Sequence, residues 1–388
     1  MQLKHRHIQL SLAIILFIAA LILLIIILEP SSTGYVEEKI AIPESKAVKK
    51  ISGGDVSIRK AIAQSLSDTC AEARRPSQPD VVQPYTEDER EELLQRLQND
   101  INKTKRTLIA SSDPEHKHVS ALLEEDPILR IDLISQALEA HADAYLLWDA
   151  VRICADSLNE TGCPISEWEK KMLDVDGQNS EAWIRAAANR YESGDLGSAY
   201  AAMQQAAVAA ESEDYWTHRL AMLERGFLAG SDLSFENRIE RAFSVSAMQL
   251  PDYGAYVDMC KAEAPESIDW AYACLRYGET AERLGKTLIG QAIGRAIQKI
   301  ALEAIGDDEQ LTALERRGAT TREQMNLDAQ LNARLSQTSR LGIVGSSPTL
   351  FFAYLANIQT YGEAHAMTTL NSAIRDWLAE NQDAGCVQ

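Results

Sequence analysis

Residues 8–28 read IQLSLAIILFIAALILLIIIL, twenty-one positions without a charge, a proline or a glycine and with Gln9 and Ser11 as the only polar interruptions. At about 1.5 Å per residue such a run spans roughly the 30 Å of a bilayer's hydrocarbon core. In that medium a single chain segment satisfies its own backbone only as a helix. A secretory leader has a shorter apolar stretch, about 7–15 residues, ending at a small-x-small cleavage site. Here the run ends at Glu29-Pro30-Ser31-Ser32, with neither that site nor a cysteine for lipidation. The expectation is therefore a single transmembrane anchor. Lys4 and Arg6 precede it, and Glu29, Glu37 and Glu38 follow it. The positive-inside rule then leaves residues 1–7 in the cytoplasm and puts everything after residue 28 outside.

The chain carries a formal charge of −19. An acidic surface repels phosphate backbones, which excludes nucleic acid as a partner, and it resists flat adsorption on anionic lipid. The six cysteines all lie beyond the anchor, and an even count in an oxidising compartment predicts disulfides. Sequence alone leaves 15 pairings open. Cys154 with Cys163 and Cys260 with Cys274 read as staples across adjacent helical segments, which leaves Cys70 with Cys386 by elimination. No CxxC occurs, and His116 and His118 read as solvated loop residues, so neither a metal nor a cofactor is expected.

Residues 29–54, which contain Pro30, Pro43, Gly53 and Gly54, read as a stalk. A helix and a proline-rich linker follow at 55–85, where RPSQPDVVQP breaks the helical pattern. From residue 86 to 388 the sequence is helical throughout. Good helix formers dominate, β-branched alternation is absent, and punctuation falls at Asp126-Pro127, residues 159–164, Gly177, Gly194, Gly230, Pro251, Pro265, Gly306 and residues 342–348. This predicts an all-α chain.

Three helices open alike, at Tyr145, Trp183 and Trp216, in steps of 38 and 33 residues. In SEAWIRAAANRYESGDLGSAYAAMQQAAVAA, Trp183 precedes a small pair, Ala186-Ala187. A Gly194-Asp195 turn follows, then Ala199, Met203 and Ala206. This unit resembles the tetratricopeptide repeat, with Arg190 in place of its usual Tyr and no closing Pro. The resemblance covers residues 126–250 and implies a right-handed α-solenoid of helical hairpins. It also implies a concave surface formed by the first helix of each hairpin, here 144–154, 180–193 and 213–228. Asp149, Arg152, Arg185, Asn189 and Arg219 are the candidate binding residues on the polar faces of those helices. Arg152, Arg185 and Arg219 recur at steps of 33 and 34, which would stack them into a cationic ladder suited to a carboxylate-bearing peptide.

Other chemical motifs fail on context. Gly285-Lys286-Thr287 echoes the end of a phosphate-binding loop, but Thr280 stands where its first glycine belongs, and the segment reads as mid-helix. Neither a Gly-x-Ser-x-Gly elbow nor an HExxH occurs. Glu211-Ser212 and Glu266-Ser267 match the catalytic pair of lytic transglycosylases without the stretch that should follow it. The expected function is an anchored adaptor in the bacterial inner membrane. It would face the periplasm and bind another envelope protein or peptide. The alternative is a cell-wall-acting enzyme of glycan hydrolase or lyase type.

If the anchor reading holds, membrane-extracted protein retains its first 28 residues by intact-mass measurement. A mature chain starting between residues 29 and 35 would show a cleaved leader instead.

Overall fold

The computed structural model describes residues 87–335 except 162, together with residues 64, 344 and 347–380. The anchor, the stalk, Cys70 and Cys386 lie outside the described residues. All described residues belong to the unit Ile51–Gln388. They form fifteen α-helices and no strand. Among them no helix is long and apolar enough to cross a membrane.

The helices are α1 (Glu87–Ile109), α2 (Pro114–Leu123), α3 (Pro127–Ala140), α4 (Ala144–Thr161), α5 (Ile165–Asp176), α6 (Ser180–Glu192), α7 (Leu196–Val208) and α8 (Trp216–Gly230). They continue with α9 (Phe235–Ala247), α10 (Tyr253–Glu263), α11 (Ile268–Leu284), α12 (Leu288–Ile305), α13 (Asp308–Leu335), α14 (Pro348–Tyr361) and α15 (Glu363–Glu380). Their starts follow from local chemistry. The side chains of Asp113, Asp126, Asn179, Asp195, Ser234, Asp252, Ser267, Thr287 and Ser347 each accept a backbone N–H of the first turn. That satisfies donors with no intrahelical acceptor. Pro114, Pro127 and Pro348 sit at the first helical position, where a missing N–H costs nothing. Gly194 and Gly306, at φ +81° and +78°, turn the chain in a conformation that only glycine adopts readily.

The Asp113-Pro114 start corrects one expectation. His116 and His118 lie in helix α2 rather than in a loop, and His118 is buried. A second correction concerns Gly285-Lys286-Thr287. It is the junction of α11 and α12, with Thr287 capping α12, rather than mid-helix.

Helices adjacent in sequence pack together as α2–α3, α4–α5, α6–α7, α8–α9, α11–α12 and α14–α15, and longer-range packing sets α7 on α11 and α8 on α1. Two large apolar cores result. The first draws on α1–α6, α8, α9, α14 and α15 and includes Trp148, Leu223 and Phe227. The second draws on α6, α7 and α10–α13 and includes Met203, Met259 and Ile297. The small residues Ala186, Ala187, Ala199, Ala202 and Ala206 are buried between α6 and α7, where they permit close approach. Disulfides Cys154–Cys163, between α4 and the segment just before α5, and Cys260–Cys274, between α10 and α11, have Cα separations of 5.9 and 6.0 Å.

The tightest crossing is α11 on α12. A Cβ on Gly294 would lie 2.6 Å from the Glu282 amide nitrogen and 2.7 Å from the Gly278 carbonyl oxygen, both backbone atoms that cannot swing away. Gly294→Ala should therefore cost about 1–3 kcal/mol by forcing the helices apart. Gly290→Ala meets a Thr287 side chain at 3.1 Å and should change stability far less. Equal melting temperatures for the two variants would contradict this crossing.

Candidate functional site

The strongest concentration of buried polar chemistry lies where α2, α4, α6 and α8 meet. It is built around Asp149, which α4 places at 0% exposure in the stretch AYLLWDAVRIC. One carboxylate oxygen accepts from Nη2 of Arg219 at 2.9 Å, with Nε of Arg152 at 3.5 Å, and the other faces Nε2 of His118 at 2.9 Å. Burial alone would keep this carboxyl protonated. Arg219, His118 and Arg152 outweigh burial and hold it ionised far below the ordinary carboxylate range. Burial pushes Arg152 itself down to about 10 against the pull of Asp149, with Arg130 adding repulsion.

Trp148, the residue before Asp149, forms an aromatic floor. The guanidinium carbons of Arg185 and Arg219 lie 4.3 and 5.3 Å from its ring centroid, within cation–π range. Tyr215 packs against it at 6.3 Å between ring centroids and joins Tyr145, His118 and His218 in an aromatic cluster whose neighbouring centroids lie 4.9–6.0 Å apart. Tyr215 is the one non-glycine described residue with positive φ, at +57°. Its hydroxyl donates to Asp176 at 2.9 Å, and its amide donates to Glu213 at 3.0 Å. These bonds fix a strained residue at the entry to α8, which therefore begins at Trp216 rather than at 213.

The candidate binding residues thus occupy a different place from the one expected. Asp149, Arg152, Arg185 and Arg219 are buried, at 0–5% exposure, instead of lining an open face. The spacing of 33 and 34 residues does bring the arginines to one locality, because α4, α6 and α8 converge there, but they point at Trp148 and Asp149. Asn189 lies apart and half-buried, donating to Glu169 at 3.3 Å. Several buried donors lack an acceptor: Nη2 of Arg152, Nε and Nη2 of Arg185, Nε and Nη1 of Arg219, and Nε1 of Trp148. A buried donor left unpaired costs about 1–3 kcal/mol, more when charged.

A second polar cluster adjoins the first. Glu181, at the start of α6, accepts from Ser212 and Tyr277 at 3.2 and 3.3 Å. Asp214 accepts from Thr287, Tyr253 and the Trp216 amide at 2.6, 3.2 and 3.1 Å. Burial and then the charge of Asp214 raise Glu181 to about 7 and Glu213 to about 8. Backbone bonds from Ser180 to Glu211 and from Lys286 to Ser212 clamp the same loops together. These acids escaped sequence reading because a carboxylate in a first helical turn ordinarily reads as a solvated dipole partner. Nothing local distinguishes Glu181 from Glu167, which is exposed.

Comparison with protein-family models, with curated proteins and with solved structures finds no match to this chain. Among the described residues no group of three or more His, Cys, Asp or Glu side chains is arranged to hold a metal ion.

The pH dependence of stability follows from the acids. Glu181 titrates near 4.5 when unfolded and at about 7 when folded, so between these values the folded state holds a proton that the unfolded state has lost. Its favourable contribution is complete below about 4.5 and disappears as pH rises through 7, at up to about 1.4 kcal/mol per pH unit. Asp149 acts oppositely. Its depressed value gives stability that is present at higher pH and lost only in strong acid. Thermal melts should therefore show maximum stability at mildly acidic pH and a decline toward pH 8 that Glu181→Gln flattens. A melting temperature that rises from pH 5 to pH 8 would contradict the burial of Glu181.

Proposed function

We propose that this chain is a membrane-anchored extracytoplasmic scaffold that captures another envelope protein or peptide through tetratricopeptide-like helical hairpins. Residues 8–28 hold it in the bacterial inner membrane, with the amino terminus cytoplasmic and the helical domain in the periplasm. The hairpins assemble as an α-solenoid, and the first helices of successive pairs, α4, α6 and α8, form the capturing side.

One observation carries this reading over an enzymatic one. Three buried carboxylates are committed to internal bonds. Asp149 is shared by Arg219, Arg152 and His118, Glu181 by Ser212 and Tyr277, and Asp214 by Thr287 and Tyr253. All three lie at 0–4% exposure. A general acid or base must come within hydrogen-bond reach of substrate. These acids are spent on tying helices together, which is what a rigid binding platform requires. The second reading, a cell-wall-acting enzyme, draws on Glu181, whose value near 7 suits a general acid. Its burial beneath Tyr277 and Ser212 weighs against that role.

A photo-crosslinking side chain placed at Asn189, on the proposed capturing side, tests the scaffold in intact cells expressing the full chain. It should give a discrete adduct with one envelope protein, while the same group at the exposed Val208 of α7 should not. Identical adducts at both positions would overturn the scaffold reading. Release of soluble glycan from isolated cell wall, abolished by Glu181→Gln, would establish the enzymatic one.

A further inference from the structure

Two buried side chains of α6 are complementary yet unbonded. Glu181 accepts from Ser212 and Tyr277 through Oε1, while its Oε2 is buried with no hydrogen-bond partner among the described residues. Arg185 stands four residues on, along the same face of the helix. Its Nε and Nη2 are likewise buried and unpartnered among the described residues. Glutamate followed by a cationic residue at this spacing is the order that favours an ion pair within a helix. Here the guanidinium lies instead over the Trp148 ring of α4, 4.3 Å from its centroid.

The charge of Glu181 decides between the two arrangements. A neutral carboxyl gives a guanidinium little reason to leave an aromatic face, whereas a buried carboxylate oxygen demands a donor. Burial and then the charge of Asp214 raise Glu181 to about 7, so both of its states are within reach near neutrality. Around Glu181 stand Ser212 and Asp214 from the loop before α8, Tyr253 and Tyr256 from α10 and Tyr277 from α11. Around Arg185 stand Trp148, Tyr256, Tyr277 and, on its own helix, Glu192. On α5, Asp176 is bonded to Asn179 and Tyr215, and Glu169 to Arg190, while α7 carries no charged side chain. Arg152 and Arg219 are paired with Asp149, and Lys286 acts on Glu213. Of these cations Arg185 remains to answer an ionised Glu181, on which it already acts electrostatically. The Tyr256 hydroxyl is buried and unpartnered too, but a neutral hydroxyl serves either state of the carboxyl and does not tell them apart.

We propose that Glu181 and Arg185 form a proton-operated switch: with Glu181 neutral, Arg185 stacks on Trp148, and loss of the Glu181 proton to solvent draws the guanidinium off the ring and onto Oε2. Position gives the switch its consequence. Helix α6 belongs to both apolar cores, with Ala182 in the first and Ile184 in the second. In the protonated state Arg185 tethers α6 to Trp148 of the first core. In the ionised state it turns back onto its own helix and releases that tether. The motion requires rotation about the torsions of one long side chain and leaves α6 unbroken. The inference is independent of the scaffold reading, because it concerns a charge inside the domain and involves no partner.

The test uses full-length protein in detergent with 5-fluorotryptophan at its six tryptophan positions, the Trp148 resonance being assigned by its loss in Trp148→Phe. Titrated from mildly acidic to mildly alkaline pH, that resonance should move in one step with its midpoint near 7. Glu181→Gln should hold it at its acid position. Arg185→Gln should remove most of the step, because no guanidinium then leaves the ring, and Tyr256→Phe should keep it. Arg185→Lys, with a charge but no planar stack, should show a smaller step and serves if the Gln variant does not fold. A wild-type resonance that stays flat overturns the switch without any variant. A step that survives in Glu181→Gln also overturns it and assigns the titration to His118 or His218 of the neighbouring aromatic cluster. A step of full size in both Arg185 variants, or one abolished by Tyr256→Phe, does the same by removing Arg185 as the moving group.

Discussion

One carboxylate, Asp149, ties three helices together. It receives Arg219 from α8, His118 from α2 and Arg152 from its own helix, all with little or no solvent contact. A buried ion pair of this kind contributes little net stability when measured against an apolar replacement. Removing one partner is expensive, about 3–5 kcal/mol, because the other charge is then stranded. The arrangement therefore restricts alternatives more than it strengthens the fold. Any sliding of α4 against α2 or α8 that separated these groups would strand charge, so relative placement of the three helices is set by electrostatics as well as by apolar packing.

The acid cluster plays the corresponding role between the two apolar cores. Asp214 sits just before α8, a helix of the first core, yet its partners Tyr253 and Thr287 belong to helices of the second. Glu181 reaches Tyr277 on α11 and Ser212 in the loop that enters α8. The cores are thus joined through a polar layer in which two acids hold protons near neutrality. Raising the pH charges that layer from within. A contact between two purely apolar surfaces would lack this sensitivity, so the joint between the cores is the part of the fold most responsive to conditions.

Much of the fold was legible because its punctuation is chemically unambiguous. Asp126-Pro127, Gly194 and Gly306 each mark a helix boundary through a cap, a fixed φ or a left-handed turn, and these are local rules. Asp113-Pro114 obeys the same rule, and the histidines after it could have been assigned to a helix on that basis. The burial of the arginines was not legible from their 33- and 34-residue spacing, because periodicity says which residues meet and leaves open whether they meet in solvent. Asp149 carried a stronger signal. It stands in AYLLWDAVRIC with apolar residues on every side of the helix, so no orientation of α4 could expose it without also exposing that surface. Glu181 and Asp214 had no such flanks, and their burial arises from Tyr253, Tyr277 and Thr287, between 39 and 96 residues away.

The arginine cluster around Trp148 is buried inside a chain of net charge −19, and this opposition bears on what its charges can act on. At physiological ionic strength, fields between exposed charges fade over about 8 Å. The arginines, lying behind Tyr145 and His218, have no reach into solvent to draw an anion in, while the acidic exterior weakly repels it. A surface ladder of the same three arginines would attract any anion, including the chain's own acidic face. Burial separates these arginines from that competition, and the Asp149 network that buries them is also what fixes their geometry.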